Sequence, residues 1–158
     1  IMKYMDSYIF DNDNAAAEEI MTASNYAGRA IDITQTTAAH AMSYKLTSMY
    51  KLPHGHAVAV CLPYVWKYMM DNPDKCIDPR GESYLQSIFK KIGSSIGADT
   101  PESAIIIFNN ILKKLQISNP RTDDICDVDI LSASVNPIRL KNNPVYLDGI
   151  VLNTIYQD

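Results

Sequence analysis

Apolar residues recur at helical spacing in segment after segment of this chain, and no run alternates apolar with polar residues between hairpin turns. Glu82 to Ile96 is the plainest case, with Leu85, Ile88, Phe89, Ile92 and Ile96 on one stripe. Gly97 suits the C-cap of that helix. Thr100-Pro101-Glu102 opens the next one, with Thr as N-cap and Pro at the first helical position, and it runs to about Leu115. Upstream, Asn14 to Thr22 is a good helix former entered by Asp11-Asn12-Asp13-Asn14, any of which can serve as N-cap. Further helices are predicted from Ser24 to Thr34, from Thr36 to Tyr50, and from His54 to Met70, where Pro63 should kink or split the last. Asp78-Pro79-Arg80-Gly81 reads as a loop. Arg121 to Ser132 reads as a helix followed by a loop at Pro137, and Asn143-Pro144 opens a last helix ending near Tyr156. Ala104 to Phe108 is apolar enough for a buried strand, but its flanks belong to a helix. The pattern predicts an all-α fold, a bundle of about seven to nine helices.

Composition limits what such a bundle does. At 158 residues the chain is expected to form one domain, 1–158, and 47% hydrophobic with 20% charged residues excludes a disordered chain. The formal charge is -4 with no block of like charges, which argues against a nucleic-acid partner, because phosphate binding needs clustered Lys and Arg. No apolar run is long enough to span a bilayer; the longest, Ala57 to Met70, holds Pro63 and Lys67. Cys61, Cys76 and Cys126 are odd in number and widely spaced, so a disulfide framework is not expected and a reducing, cytoplasmic compartment is. The chain begins at Ile1 without a signal peptide and reads as a piece of a longer protein.

The three histidines, His40, His54 and His56, fall close together. Neutral imidazole is the usual nitrogen ligand of transition metals, so the cluster makes a metal site a candidate. On the predicted helix, Thr36, Thr37, Ser43, Tyr44 and Thr47 share the face of His40, while Ala38, Ala41, Met42, Leu46 and Met49 occupy the other. Facing inward, that polar stripe lines a site; facing solvent, it means nothing. His54, between Pro53 and Gly55, stands at a loop-to-helix junction. The bland alternative makes His54 and His56 ordinary surface residues of a turn. Two histidines do not complete a metal site. There is no HExxH, no GxGxxG, no GxxxxGK[ST] and no GxSxG; Gly93 to Gly97 falls at a helix end rather than after a strand.

The stretch Ala27 to Tyr68, AGRAIDITQTTAAHAMSYKLTSMYKLPHGHAVAVCLPYVWKY, resembles the signature region of the iron-containing (group III) alcohol dehydrogenases. His40 in its alanine-rich helix, then Pro53-His54-Gly55, then Leu62-Pro63 carry the likeness. Ser134 to Arg139 and Asn142-Asn143-Pro144 look like the end of the same family's helical domain. The resemblance implies the C-terminal, all-helical, metal-binding domain of a two-domain enzyme of the dehydroquinate-synthase-like and iron-containing alcohol dehydrogenase type. Its N-terminal partner would bind NAD(P)H. The family's metal ligands are one Asp and three His, and the last two map onto His40 and His54. The other two form a D-x-x-x-H pair that would lie before Ile1.

The resemblance further implies a divalent metal, Fe²⁺ or Zn²⁺, and a small aldehyde or alcohol as substrate; a homo-oligomer is also expected, because a chain without its neighbouring domain exposes an apolar face. Where many members carry a second His, this chain has Tyr44, a candidate catalytic residue that donates a hydrogen bond but accepts a proton less readily than imidazole. The wording from Thr36 to Ala59 looks closest to the branch that reduces phosphonoacetaldehyde to 2-hydroxyethylphosphonate. An anionic substrate needs an anion site, for which His56 is the candidate. Glycerol-dehydrogenase-like and dehydroquinate-synthase-like members of the same superfamily remain alternatives, as does a helical domain that catalyses nothing in isolation.

Overall fold

A computed structural model of the chain describes residues 1–120 and 125–157. All-α is the observed class: nine α-helices and one short 3-10 turn, with no strand among the described residues beyond an isolated bridge. Two compact units divide the chain, Ile1–Gln35 and Thr36–Asp158.

The first unit holds α1 (Met5–Phe10) packed on α2 (Asn14–Ile33). Asp13 is the N-cap of α2, its Oδ1 accepting from the backbone N–H of Ala15 at 2.8 Å and of Ala16 at 3.4 Å. The two helices expected over 14–34 are one, because Ala23-Ser24 carries no breaker and nothing there interrupts the ladder. α1 was not foreseen. Of α2 only Ala16 is buried, and Met21, Tyr26, Ile31 and Ile33 are exposed.

The second unit begins with a helical hairpin, α3 (Ala38–Tyr50) against α4 (His54–Asp71). Ala38, Ala39 and Ala41 present so little side chain that the two helices approach closely, and Met42, Leu46, Val60, Cys61, Val65 and Trp66 fill the seam. Pro63 sits inside α4 without splitting it. Its ring is buried and the helix continues to Asp71, so core packing outweighs the hydrogen bond that proline cannot donate. Next come α5 (Glu82–Ser95), α6 (Pro101–Lys114), α7 (Ile125–Ala133), α8 (Pro137–Leu140) and α9 (Gly149–Gln157). α6 and α9 pack on α4, α5 packs on α6, and α7 and α8 pack on α3. Tyr50 donates to Asp127 Oδ2 at 2.9 Å and Tyr156 to the Met42 carbonyl at 2.8 Å, which ties α3 to α7 and α9. The segment Ala104–Phe108 is helical, as its flanks indicated.

Two expectations near the carboxyl end are corrected. The Pro137 loop is the short helix α8, whose N-cap Asn136 accepts from Ile138 N–H at 2.9 Å. Asn143-Pro144 does not open the last helix. Cys76 and Val145 instead form an antiparallel bridge, with Ile77 N–H donating to the Pro144 carbonyl and Tyr146 N–H to the Lys75 carbonyl. Backbone groups committed to that bridge cannot enter a helix, so α9 starts at Gly149, with Asp148 Oδ1 accepting from Val151 N–H at 2.9 Å. The expected helix start at Arg121 lies outside the described residues, as does the side chain of Cys126. Cys61 and Cys76 are free thiols. Among the described residues no helix is long and apolar enough to cross a membrane.

Candidate functional site

The turn between α3 and α4 brings His40 and His54 together. Lys51 adopts a left-handed conformation (φ 58°) that ends α3, and Leu52-Pro53 extends the chain before α4 starts at His54. Proline lacks the N–H that would prolong α3 and has the φ of a helix entry, so the reversal is tight. His40, in the first turn of α3, and His54, at the first position of α4, then meet with ring centroids 5.5 Å apart and planes at 61°.

Ser43 ties the two together. It is fully buried, and its Oγ donates to the His40 carbonyl at 2.9 Å. The same oxygen lies 3.4 Å from His54 Nδ1. A serine has one proton, and a carbonyl only accepts, so at this second contact Nδ1–H donates to Oγ. In a neutral ring, a proton held at Nδ1 leaves Nε2 bare, the form in which imidazole ligates a metal. His40 is half-buried, and its pKa is lowered first by that burial and then by His54, which also favours the neutral ring.

Tyr44, one turn on from His40 and 46% exposed, lies with its ring centroid 5.6 Å from that of His54. Arg139 of α8 reaches the same place. Its guanidinium sits 4.7 Å from the Tyr44 ring centroid, and Nη1 donates to the phenol oxygen at 2.7 Å. Of the expected polar stripe, Ser43 is buried, Thr36, Thr37 and Thr47 are half-buried, and Tyr44 reaches solvent. The opposite face is core as expected, with Met42 fully buried.

His56 is not brought to this cluster. Two residues along α4 from His54, it faces about 200° away around the helix, and its Nε2 donates to the Ser118 carbonyl at 2.8 Å. Grooves of about 250 Å³ beside Tyr64 and Val151, and of about 300 Å³ beside Pro63 and Asn109, flank α4 elsewhere, and neither is lined by His40 or His54.

The donor set suits iron or zinc in kind, being two imidazoles of which one has its second nitrogen already bonded. In number it is half a set. Among the described residues no group of three or more His, Cys, Asp or Glu gathers at any point. Cys61 adds nothing, since burial pushes its thiol up to about 12 and keeps it protonated. The residue that sequence reasoning missed is Arg139. It stands 95 positions from Tyr44, and no local pattern links the two.

Comparison with known proteins adds independent findings. The profile of the Fe-containing alcohol dehydrogenase family, C-terminal, matches residues 1–127. Phosphonoacetaldehyde reductase of Streptomyces viridochromogenes is 30% identical over 137 residues, which is 86% of this chain and 34% of that protein. 1,3-Propanediol dehydrogenase of Citrobacter freundii is 41% identical over 64 residues, 40% of this chain and 16% of that protein. The chain thus spans about a third, or less, of the length of these relatives. Among solved structures, an archaeal halo-thermophilic alcohol dehydrogenase from a Red Sea brine pool superposes with a TM-score of 0.81 at 19% identity, covering 99% of this chain and 41% of that one. Sulfoacetaldehyde reductase from Bifidobacterium kashiwanohense, solved with NAD⁺, gives 0.56 at 24% identity over 77% of this chain and 30% of its own. Both likenesses are of fold.

Proposed function

Because the chain belongs to the iron-containing alcohol dehydrogenase family, by its C-terminal helical domain, we propose that it forms the metal-bearing side of an NAD(P)-linked aldehyde reductase. His40 and His54 are two of the metal's ligands in this reading. The observation that carries it is the pair itself: two imidazoles with ring centroids 5.5 Å apart, with His54 Nδ1 held by Ser43. The remaining ligands and the nucleotide site come from residues outside these 158. When bound, the divalent metal supplies Lewis-acid polarisation of the aldehyde oxygen and the nicotinamide supplies the hydride.

The chain's own residues hold and orient. Ser43 fixes His54. Tyr44, whose phenol oxygen accepts from Arg139, keeps its O–H free to donate toward a substrate oxygen. Phosphonoacetaldehyde is the proposed substrate and 2-hydroxyethylphosphonate the product, supported by the likeness that runs over 86% of the chain. The substrate role expected for His56 requires the doubly protonated ring, because its Nε2–H is already used at Ser118 and a neutral Nδ1 only accepts.

The test is oxidation of NADH and NADPH by the full-length protein with phosphonoacetaldehyde and with butyraldehyde, before and after chelation and return of Fe²⁺ or Zn²⁺. Metal-dependent turnover that prefers phosphonoacetaldehyde is expected. Turnover of butyraldehyde alone would keep the reductase and discard the phosphonate. No turnover despite bound metal would discard both.

A further inference from the structure

The cluster holds a cation that no acidic side chain among the described residues pairs with. Arg139 is exposed and, among the described residues, makes no ion pair. One nitrogen is used on Tyr44, and the guanidinium carbon lies 4.7 Å from the phenol ring centroid, so both contacts hold the group against that ring. Its short helix is held at both ends, by Asn136 at the start and by Asn143 N–H donating to the Leu140 carbonyl at 2.9 Å. Asn143 is itself buried, with Nδ2 donating to the Val145 carbonyl. A planar fork with free donors, pre-set on an anchored element, is the arrangement that recognises a tetrahedral oxyanion.

We propose that Arg139, steadied by Tyr44 beside the His40–His54 pair, seats the phosphonate end of the substrate. The proposal rests on the reductase reading above and adds to it the residue that chooses between charged and neutral aldehydes. Because Tyr44 touches both His54 and Arg139, an aldehyde bound by its anionic end lies next to the histidines, with its carbonyl on their side. A neutral aldehyde gains nothing from the guanidinium.

The experiment uses the full-length protein as wild type, Arg139→Gln and Arg139→Lys, with circular dichroism to establish that each folds. Calorimetric titration with methylphosphonate gives a readout independent of turnover. Binding is expected to weaken about tenfold or more in Arg139→Gln and less in Arg139→Lys, which keeps the charge without the fork. In turnover, the KM for phosphonoacetaldehyde should rise about tenfold or more in Arg139→Gln, with that for butyraldehyde within about twofold. Equal losses for both aldehydes, or unchanged methylphosphonate affinity in Arg139→Gln, would overturn the proposal. If the wild type reduces neither aldehyde, the reductase reading fails by itself and the titration still decides the seat. A wild type that does not bind methylphosphonate refutes it.

Discussion

Ser43 shows how much of the proposed metal site is decided one residue away from the proposed ligands. In sequence it is one of several hydroxyls near His40. In the fold it is wholly buried, and its single proton is committed to the His40 carbonyl, which leaves its oxygen to receive His54 Nδ1–H. Ser43→Ala removes that orientation while leaving a small side chain on an alanine-rich seam. The expected outcome is a Zn²⁺ dissociation constant raised about 10- to 100-fold in the full-length protein. An unchanged constant in a competition titration would show that Ser43 orients nothing. Neither the Ser43 contact nor that of Arg139 with Tyr44 was legible in the sequence. Ser43 could not be chosen over Thr36 and Thr37 without knowing which hydroxyl turns inward, and Arg139 meets Tyr44 only through the packing of α8 on α3. The closeness of His40 and His54 was legible through their motif, whereas the contact of His56, read as the anion-site candidate, with the Ser118 carbonyl was not.

At the scale of elements, local signals succeeded and long-range ones did not show. Gly97 was readable as a helix end. It adopts φ +82°, its N–H donates to the Ser94 carbonyl, and Ala98 N–H donates to the Gly93 carbonyl, a complete Schellman ending for α5. Thr100 was likewise readable as an N-cap, and it forms a reciprocal pair with Ser103. Asn143-Pro144 misled because its alternative partner, the backbone around Cys76, is far away in sequence. Gly97 also allows a clean test of the backbone argument. Nothing lies within 4 Å of a Cβ added there, so Gly97→Ala meets no clash and only the left-handed conformation costs. The expected loss is about 1 kcal/mol, on the order of the αL penalty for an L-residue, read by chemical denaturation. A variant as stable as the wild type would mean that α5 ends without the left-handed residue.

Across the whole molecule, the class, the order of the major helices and the inward face of α3 were carried by periodicity and by capping residues. The division at Gln35 and Thr36 was not, because the sequence there holds no linker-like run. The unit from Thr36 to Asp158 carries both histidines, Ser43, Tyr44 and Arg139, so the candidate site is assembled by one unit. Two imidazoles leave a tetrahedral or octahedral ion short of ligands, so the account requires the rest of the enzyme for metal to be held. The most direct test is the metal content of the full-length protein, by mass spectrometry after Fe²⁺ or Zn²⁺ loading and dialysis, for the wild type, His40→Ala and His54→Ala. Close to one metal per subunit is expected in the wild type and little in either variant, with helical content unchanged. A His54→Ala protein that retains its metal in full would contradict it.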